Sequence, residues 1–99
     1  MGMRHYVIAY DVATTTDEGK RRLRRVAKAC ESRGQRVQNS VFEVVVTLAQ
    51  IEELRARLRR IMDPEQDSLR IYALKGKAEE CVEVYGLDHA VDFTEPLVF

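Results

Sequence analysis

The apolar positions of the chain change period along its length, and those changes mark out its elements. Residues 4–10, Arg-His-Tyr-Val-Ile-Ala-Tyr, form a continuous apolar and β-forming run, the pattern of a strand buried on both faces. The run ends at Asp11-Val12 and gives way to a threonine loop, Thr14-Thr15-Thr16. Thr15 and Glu18 stand at capping-box spacing, in which the hydroxyl satisfies a free helix amide and the carboxylate reaches back. A helix is therefore predicted from about Asp17 to Ser32, with Gly34 as its C-terminal stop. Within it Leu23, Val26, Ala27 and Cys30 follow i, i+3, i+4, i+7 and make the buried stripe.

Two short strands come next, Gln35–Asn39 and Ser40–Val46, with a turn near Asn39-Ser40. Thr47 and Gln50 make a second capping box, opening a helix to about Met62 with Ile51, Leu54, Leu58 and Ile61 as its core stripe. Arg55 and Arg59 fall on its more polar side, and Asp63-Pro64 ends it. In Ser68–Leu74 the residues Leu69, Ile71 and Ala73 alternate onto one strand face. The order β-α-β-β-α-β is the ferredoxin-like signature, an α+β fold with an antiparallel sheet and two helices on one face. Its core spans residues 3–75 of one domain covering 1–99. Residues 76–99 are a C-terminal extension, in which Cys81–Tyr85 suits an added strand and Val91–Phe93 and Leu97–Phe99 are apolar anchors.

Charge changes this picture more than composition does. The 16 Lys/Arg and 16 Asp/Glu cancel, which on its face argues against a nucleic-acid partner. Their distribution is uneven: residues 20–36 hold eight basic residues and one acid, whereas residues 79–99 hold six acids and no Lys or Arg. On the first helix Arg21, Arg24, Arg25 and Lys28 form a stripe opposite the apolar one. An ordinary solubilising face mixes signs, so this stripe is a candidate phosphate-binding surface. No apolar stretch approaches the roughly 18 residues of a membrane helix. Cys30 and Cys81 lack metal-ligand spacing and read as buried thiols of a cytoplasmic protein. His5 and His89 are isolated.

Asp11 is the most pointed chemical position, a carboxylate at the C-terminal end of a strand and just before a loop. It suits either a turn that bonds nearby amides or a metal ligand projecting into a cleft. As a metal site it lacks a second acid close in sequence, and a two-fold dimer supplies one. Tyr10, Arg36, Ser40 and Phe42 are expected around it. Ser40 has no local His–Asp partnership and makes a poor nucleophile. Phe42 suits a core position better than a base-stacking platform. Arg36 joins the helix cations as a candidate phosphate contact. The glycines are scattered, with no phosphate loop among them.

Tyr10-Asp11-Val12 after an apolar strand, a basic helix, and then Gly34-Gln35-Arg36-Val37-Gln38-Asn39-Ser40-Val41-Phe42-Glu43 resemble the CRISPR-associated protein two family. Asp67–Tyr72 and Asp92–Leu97 resemble its type I-C subgroup. The resemblance implies a homodimer whose last strand packs on the partner's sheet. It implies a role in CRISPR adaptation beside the integrase, CRISPR-associated protein one. It implies Mg²⁺-dependent endonuclease activity, with Mn²⁺ as a substitute, on double-stranded DNA, single-stranded RNA or both. Asp11 matches the family's metal residue, and Tyr10, Arg36 and Phe42 match positions linked to activity. A non-catalytic scaffold that holds duplex DNA between integrase subunits is the alternative. A regulatory module for a small ligand finds no motif in the chain.

Overall fold

Two threonine caps and the switch between periods of two and 3.6 set the elements of the computed structural model, which describes residues 2–74 and 82–86. They are β1 (Arg4–Asp11), α1 (Asp17–Glu31), β2 (Gly34–Gln38), β3 (Val41–Val46), α2 (Leu48–Ile61), β4 (Ser68–Ala73) and β5 (Val82–Gly86). The strands form one antiparallel sheet in the order β2-β3-β1-β4-β5. Val26, Ala29 and Cys30 of α1 and Ile51, Leu54, Leu58 and Ile61 of α2 share one core with Tyr6, Ile8, Phe42 and Val44 of the sheet. Both helices therefore cover the same sheet face, as in the ferredoxin-like α+β fold.

The helix boundaries follow the caps, with two corrections. Thr16, not Thr15, caps α1: its backbone is extended (φ −123°, ψ 163°) and its hydroxyl accepts from the Gly19 N–H. The residue three positions on is then a glycine, so no carboxylate reaches back. Gly34 is not the helix stop either. The chain leaves α1 through Ser32, still right-handed, whose N–H reaches the Lys28 carbonyl at 3.1 Å; Gly34 opens β2 instead. The second box forms as predicted, with Thr47 Oγ1 accepting from Gln50 N–H at 3.2 Å and Gln50 Oε1 accepting from Thr47 N–H at 2.9 Å.

β1 departs from the expectation of burial on both faces. Tyr6, Ile8 and Tyr10 are buried under the helices, while Val7 and Ala9 on the opposite face are half-exposed, because neither helix covers that side. In α1 the buried places go to Val26, Ala29 and Cys30, with Leu23 and Ala27 only partly covered. The added C-terminal strand extends this chain's own sheet: β5 pairs with β4 from Tyr72↔Val82 to Ser68↔Gly86. Cys81, His89 and the apolar anchors at 91–93 and 97–99 lie outside the described residues.

Candidate metal and nucleic-acid site

β1 lies between β3 and β4, so its last residue is fixed from the flanks: Asp11 stands opposite Ser68 of β4. Successive strand side chains point to opposite faces. Tyr10 therefore enters the helix-covered side and Asp11, which is exposed, belongs to the open side.

The loop after Asp11 is clamped from below. Val12 is buried, and the Ala13 N–H donates to Oδ1 of Asp67 at 3.0 Å. Oδ2 of Asp67 accepts from the Asp63 N–H and from Arg22 Nε, each at 2.9 Å. The Asp67 side chain is 0% exposed and that of Arg22 14%. One buried carboxylate thus ties together the β1–α1 loop, α1 and the turn before β4. Two glycines make the fit possible. A Cβ at Gly19 would overlap the Ala13 carbonyl, and Gly86, at φ 90°, lies against the Asp67 carbonyl.

Sequence reasoning passed over this clamp, although a signal for it existed. Arg22 stands four residues before Val26, on the core-facing side of α1 rather than on the cationic stripe. A cation there requires a buried acid.

Tyr10, Phe42 and Arg36 come together with one another but not around Asp11. The Tyr10 and Phe42 rings stack with centroids 6.1 Å apart and planes 22° from parallel, and the Arg36 guanidinium lies 5.0 Å over Phe42. This trio belongs to the helix-covered face: Phe42 is fully buried and pairs in register with Arg36 of β2 and Ile8 of β1. Arg36 is further engaged, donating to the Asn39 carbonyl at 2.8 Å and to Glu31 at 3.2 Å. Burial raises the Tyr10 pKa, and neighbouring Cys30 adds to the effect. Burial also pushes the Cys30 thiol up to about 12, against the pull of Arg36. The Tyr10 hydroxyl is buried with no hydrogen-bond partner among the described residues.

The α1 stripe is presented as the periodicity predicts. Arg21, Arg24, Arg25 and Lys28 are all exposed. The two α2 arginines on the polar side are committed: Arg55 holds Glu83 at 2.7 Å and Glu52 at 2.9 Å, and Arg59 lies 4.6 Å over the Tyr85 ring. These contacts fasten β5 to α2. For a metal, Asp11 offers the hard oxygen donor that Mg²⁺ prefers. Among the described residues no three metal-ligating side chains gather in one place.

Residues 3–81 match the family described as "CRISPR associated protein Cas2". The chain belongs to the Cas2 family. It is 49% identical over 94 residues to the "CRISPR-associated endoribonuclease Cas2 1" of Moorella thermoacetica, covering 95% of this chain and 98% of the relative. It is 47% identical to the "CRISPR-associated endonuclease Cas2" of Halalkalibacterium halodurans, covering 94% of this chain and 97% of that one. Among solved structures, Streptococcus pyogenes Cas2 superposes with a TM-score of 0.68 at 46% identity, over 77% of this chain and 92% of that one. No helix among the described residues of this Cas2-family chain is long and apolar enough to cross a membrane.

Proposed function

We propose that this Cas2-family chain is an endonuclease subunit of CRISPR spacer acquisition. It works as a homodimer and hydrolyses phosphodiester bonds in double-stranded DNA, single-stranded RNA or both. The observation that carries the reading is the placement of Asp11, exposed at the end of the central strand on the face that neither helix covers. A second copy related by a two-fold axis on that face would supply a second Asp11, and the two carboxylates would hold Mg²⁺, or Mn²⁺ in its place. When bound, the metal supplies Lewis-acid activation of water and of the scissile phosphate. The protein's own part is positional. Asp67 and Arg22 fix the loop behind Asp11, and Arg21, Arg24, Arg25 and Lys28 hold the nucleic-acid backbone without reading its sequence.

The test is cleavage of single-stranded RNA and duplex DNA in Mg²⁺ against EDTA, with wild type and Asp11→Asn. Asp11→Asn lowers the rate by roughly 100-fold or more, since it removes most of the metal's charge stabilisation. A rate indifferent to both EDTA and Asp11→Asn overturns the reading.

One observation favours a second reading, a scaffold that bridges copies of the integrase, CRISPR-associated protein one. Tyr10, the titratable member of its trio with Phe42 and Arg36, is sealed on the helix-covered face, where it does not serve as a general base at Asp11. The scaffold reading expects Asp11→Ala to retain spacer integration.

A further inference from the structure

The cations of α1 have counterparts on α2 that periodicity alone did not single out. Arg21 and Arg22 share a cleft with Met62, while Ser32 and Arg33 share another with Glu53 and Leu54, so the two helices run antiparallel. Between these lies a third cleft of about 400 Å³, lined by Arg25, Lys28, Arg57, Arg60 and Ile61. Arg25 is common to one neighbouring cleft, and Arg57 and Arg60 to the other. The three are thus one trough. From Arg21 to Arg33 it runs about 18 Å at ~1.5 Å per helical residue, room for about five nucleotide steps at ~3.4 Å per step of one strand.

Acids occur at its ends, with Glu18 and Asp63 at one and Glu53 at the other. Glu53 is already engaged by Arg33 at 2.8 Å. The middle has four cations facing each other from two walls, none of them in an ion pair among the described residues. Like charges gathered this way repel, and a polyanion relieves all of them together while releasing condensed counterions. The floor decides which polyanion. Its apolar residues, Leu54, Ile61 and Met62, are themselves buried, and only Pro64 at one end is exposed. An acidic protein would find no pocket for the aromatic or aliphatic anchor that protein interfaces depend on. A sugar–phosphate backbone needs only the cations.

We propose that the trough between α1 and α2 is a binding tract for a phosphodiester backbone, with Arg57 and Arg60 gripping it from the wall opposite Arg25 and Lys28. The proposal rests on the nucleic-acid reading of this chain and extends it from a stripe on one helix to a two-walled groove.

The full chain is tested in EDTA, so that binding is read without cleavage, by fluorescence anisotropy on labelled duplex DNA and single-stranded RNA across a KCl series. Arg57→Gln combined with Arg60→Gln weakens binding roughly tenfold or more, and it flattens the log–log salt slope by about 1.8 on duplex and about 1.4 on single strands. Arg57→Lys with Arg60→Lys restores most of both, and all variants melt at the wild-type temperature. The two substrates distinguish the source of the backbone. Unchanged affinity and slope in the glutamine variant overturn the proposal. So does a loss confined to poly-glutamate binding, which assigns the trough to an acidic protein. Asp11→Asn is assayed for cleavage in a separate Mg²⁺ reaction. If it loses cleavage while the glutamine variant binds normally, the trough fails and the metal site stands. If it still cleaves while the glutamine variant loses binding, the metal site fails and the trough stands.

Discussion

The two faces of the sheet divide the work of this protein, and the division passes between adjacent residues. Tyr10 and Asp11 are neighbours in the chain and both belong to the motif that carries the family resemblance. Yet Tyr10 is sealed beneath the helices against Phe42, and Asp11 stands exposed on the open face. The helix-covered face supplies stability: Ile8, Phe42, Val44 and Ile71 are almost wholly inaccessible. The open face carries His5, Asp11, Glu43 and Val45 in the exposed class and contributes little to the core. Similarity in a motif therefore does not by itself place its residues at one site. Strand alternation sorts them between a packed face and an exposed one.

The sharpest way to break this comparison is to substitute across it. Phe42→Ala should cost about 3–5 kcal/mol, as expected for a large aromatic removed from a close-packed core, and urea unfolding measures it. Asp11→Asn should shift stability by less than about 1 kcal/mol, as at most surface positions, while it removes metal-dependent cleavage. A Phe42→Ala protein of wild-type stability would show that the helix face is not the core. Asp67→Ala tests the join between the faces. It leaves the partly buried Arg22 and the Ala13 and Asp63 amides without their acceptor, at a cost of about 3–5 kcal/mol. Arg22→Ala should cost a similar amount. If the two losses add fully in the double variant, the residues do not act as a pair.

Much of this division was legible in the sequence, and the misses have physical reasons. Capping chemistry is local, so Thr47 and Gln50 announced α2 correctly. For α1 the capping-box spacing pointed to Thr15, one residue before the threonine whose hydroxyl accepts from the Gly19 N–H. The cationic stripe of α1 followed from periodicity alone. What periodicity does not report is long-range pairing. Arg22 and Asp67 are 45 residues apart, and Arg57 and Arg60 meet Arg25 and Lys28 only when α2 lies beside α1. The contact of Arg36 with Glu31 likewise forms only when β2 turns back beside α1. For Asp11 the sequence supplied the position and the chemistry, and the fold supplied the face.

Alkaline pH acts on the helix-covered face through Cys30. The thiol ionises near 9 when exposed and only at about 12 in the fold. Between those values the unfolded chain has released a proton that the folded protein retains. Stability is complete below about pH 9 and falls progressively toward pH 12. Tyr10 is raised in the same sense by burial, so its contribution adds to the loss above pH 10. Urea midpoints taken from pH 8 to 11 should fall for wild type and fall less steeply for Cys30→Ala. Parallel slopes would mean that Cys30 is accessible enough to ionise in the folded state.

The smallest expected effect is also the one that speaks most directly to the resemblance. The resemblance implies a link between Tyr10 and activity, but its hydroxyl is buried without a hydrogen-bond partner among the described residues. An unsatisfied buried hydroxyl costs roughly 1–3 kcal/mol. Tyr10→Phe keeps the ring that stacks on Phe42 and removes only that oxygen. It should therefore leave cleavage within about twofold and raise stability by about 1 kcal/mol, part of the penalty being offset by lost dispersion contacts. Cleavage and urea midpoints are read on the same preparation. A tenfold loss of cleavage at undiminished stability would mean that the hydroxyl reaches the substrate in the active assembly. Tyr10 would then have to leave the face on which the single chain holds it, and catalysis would require the aromatic stack with Phe42 to open.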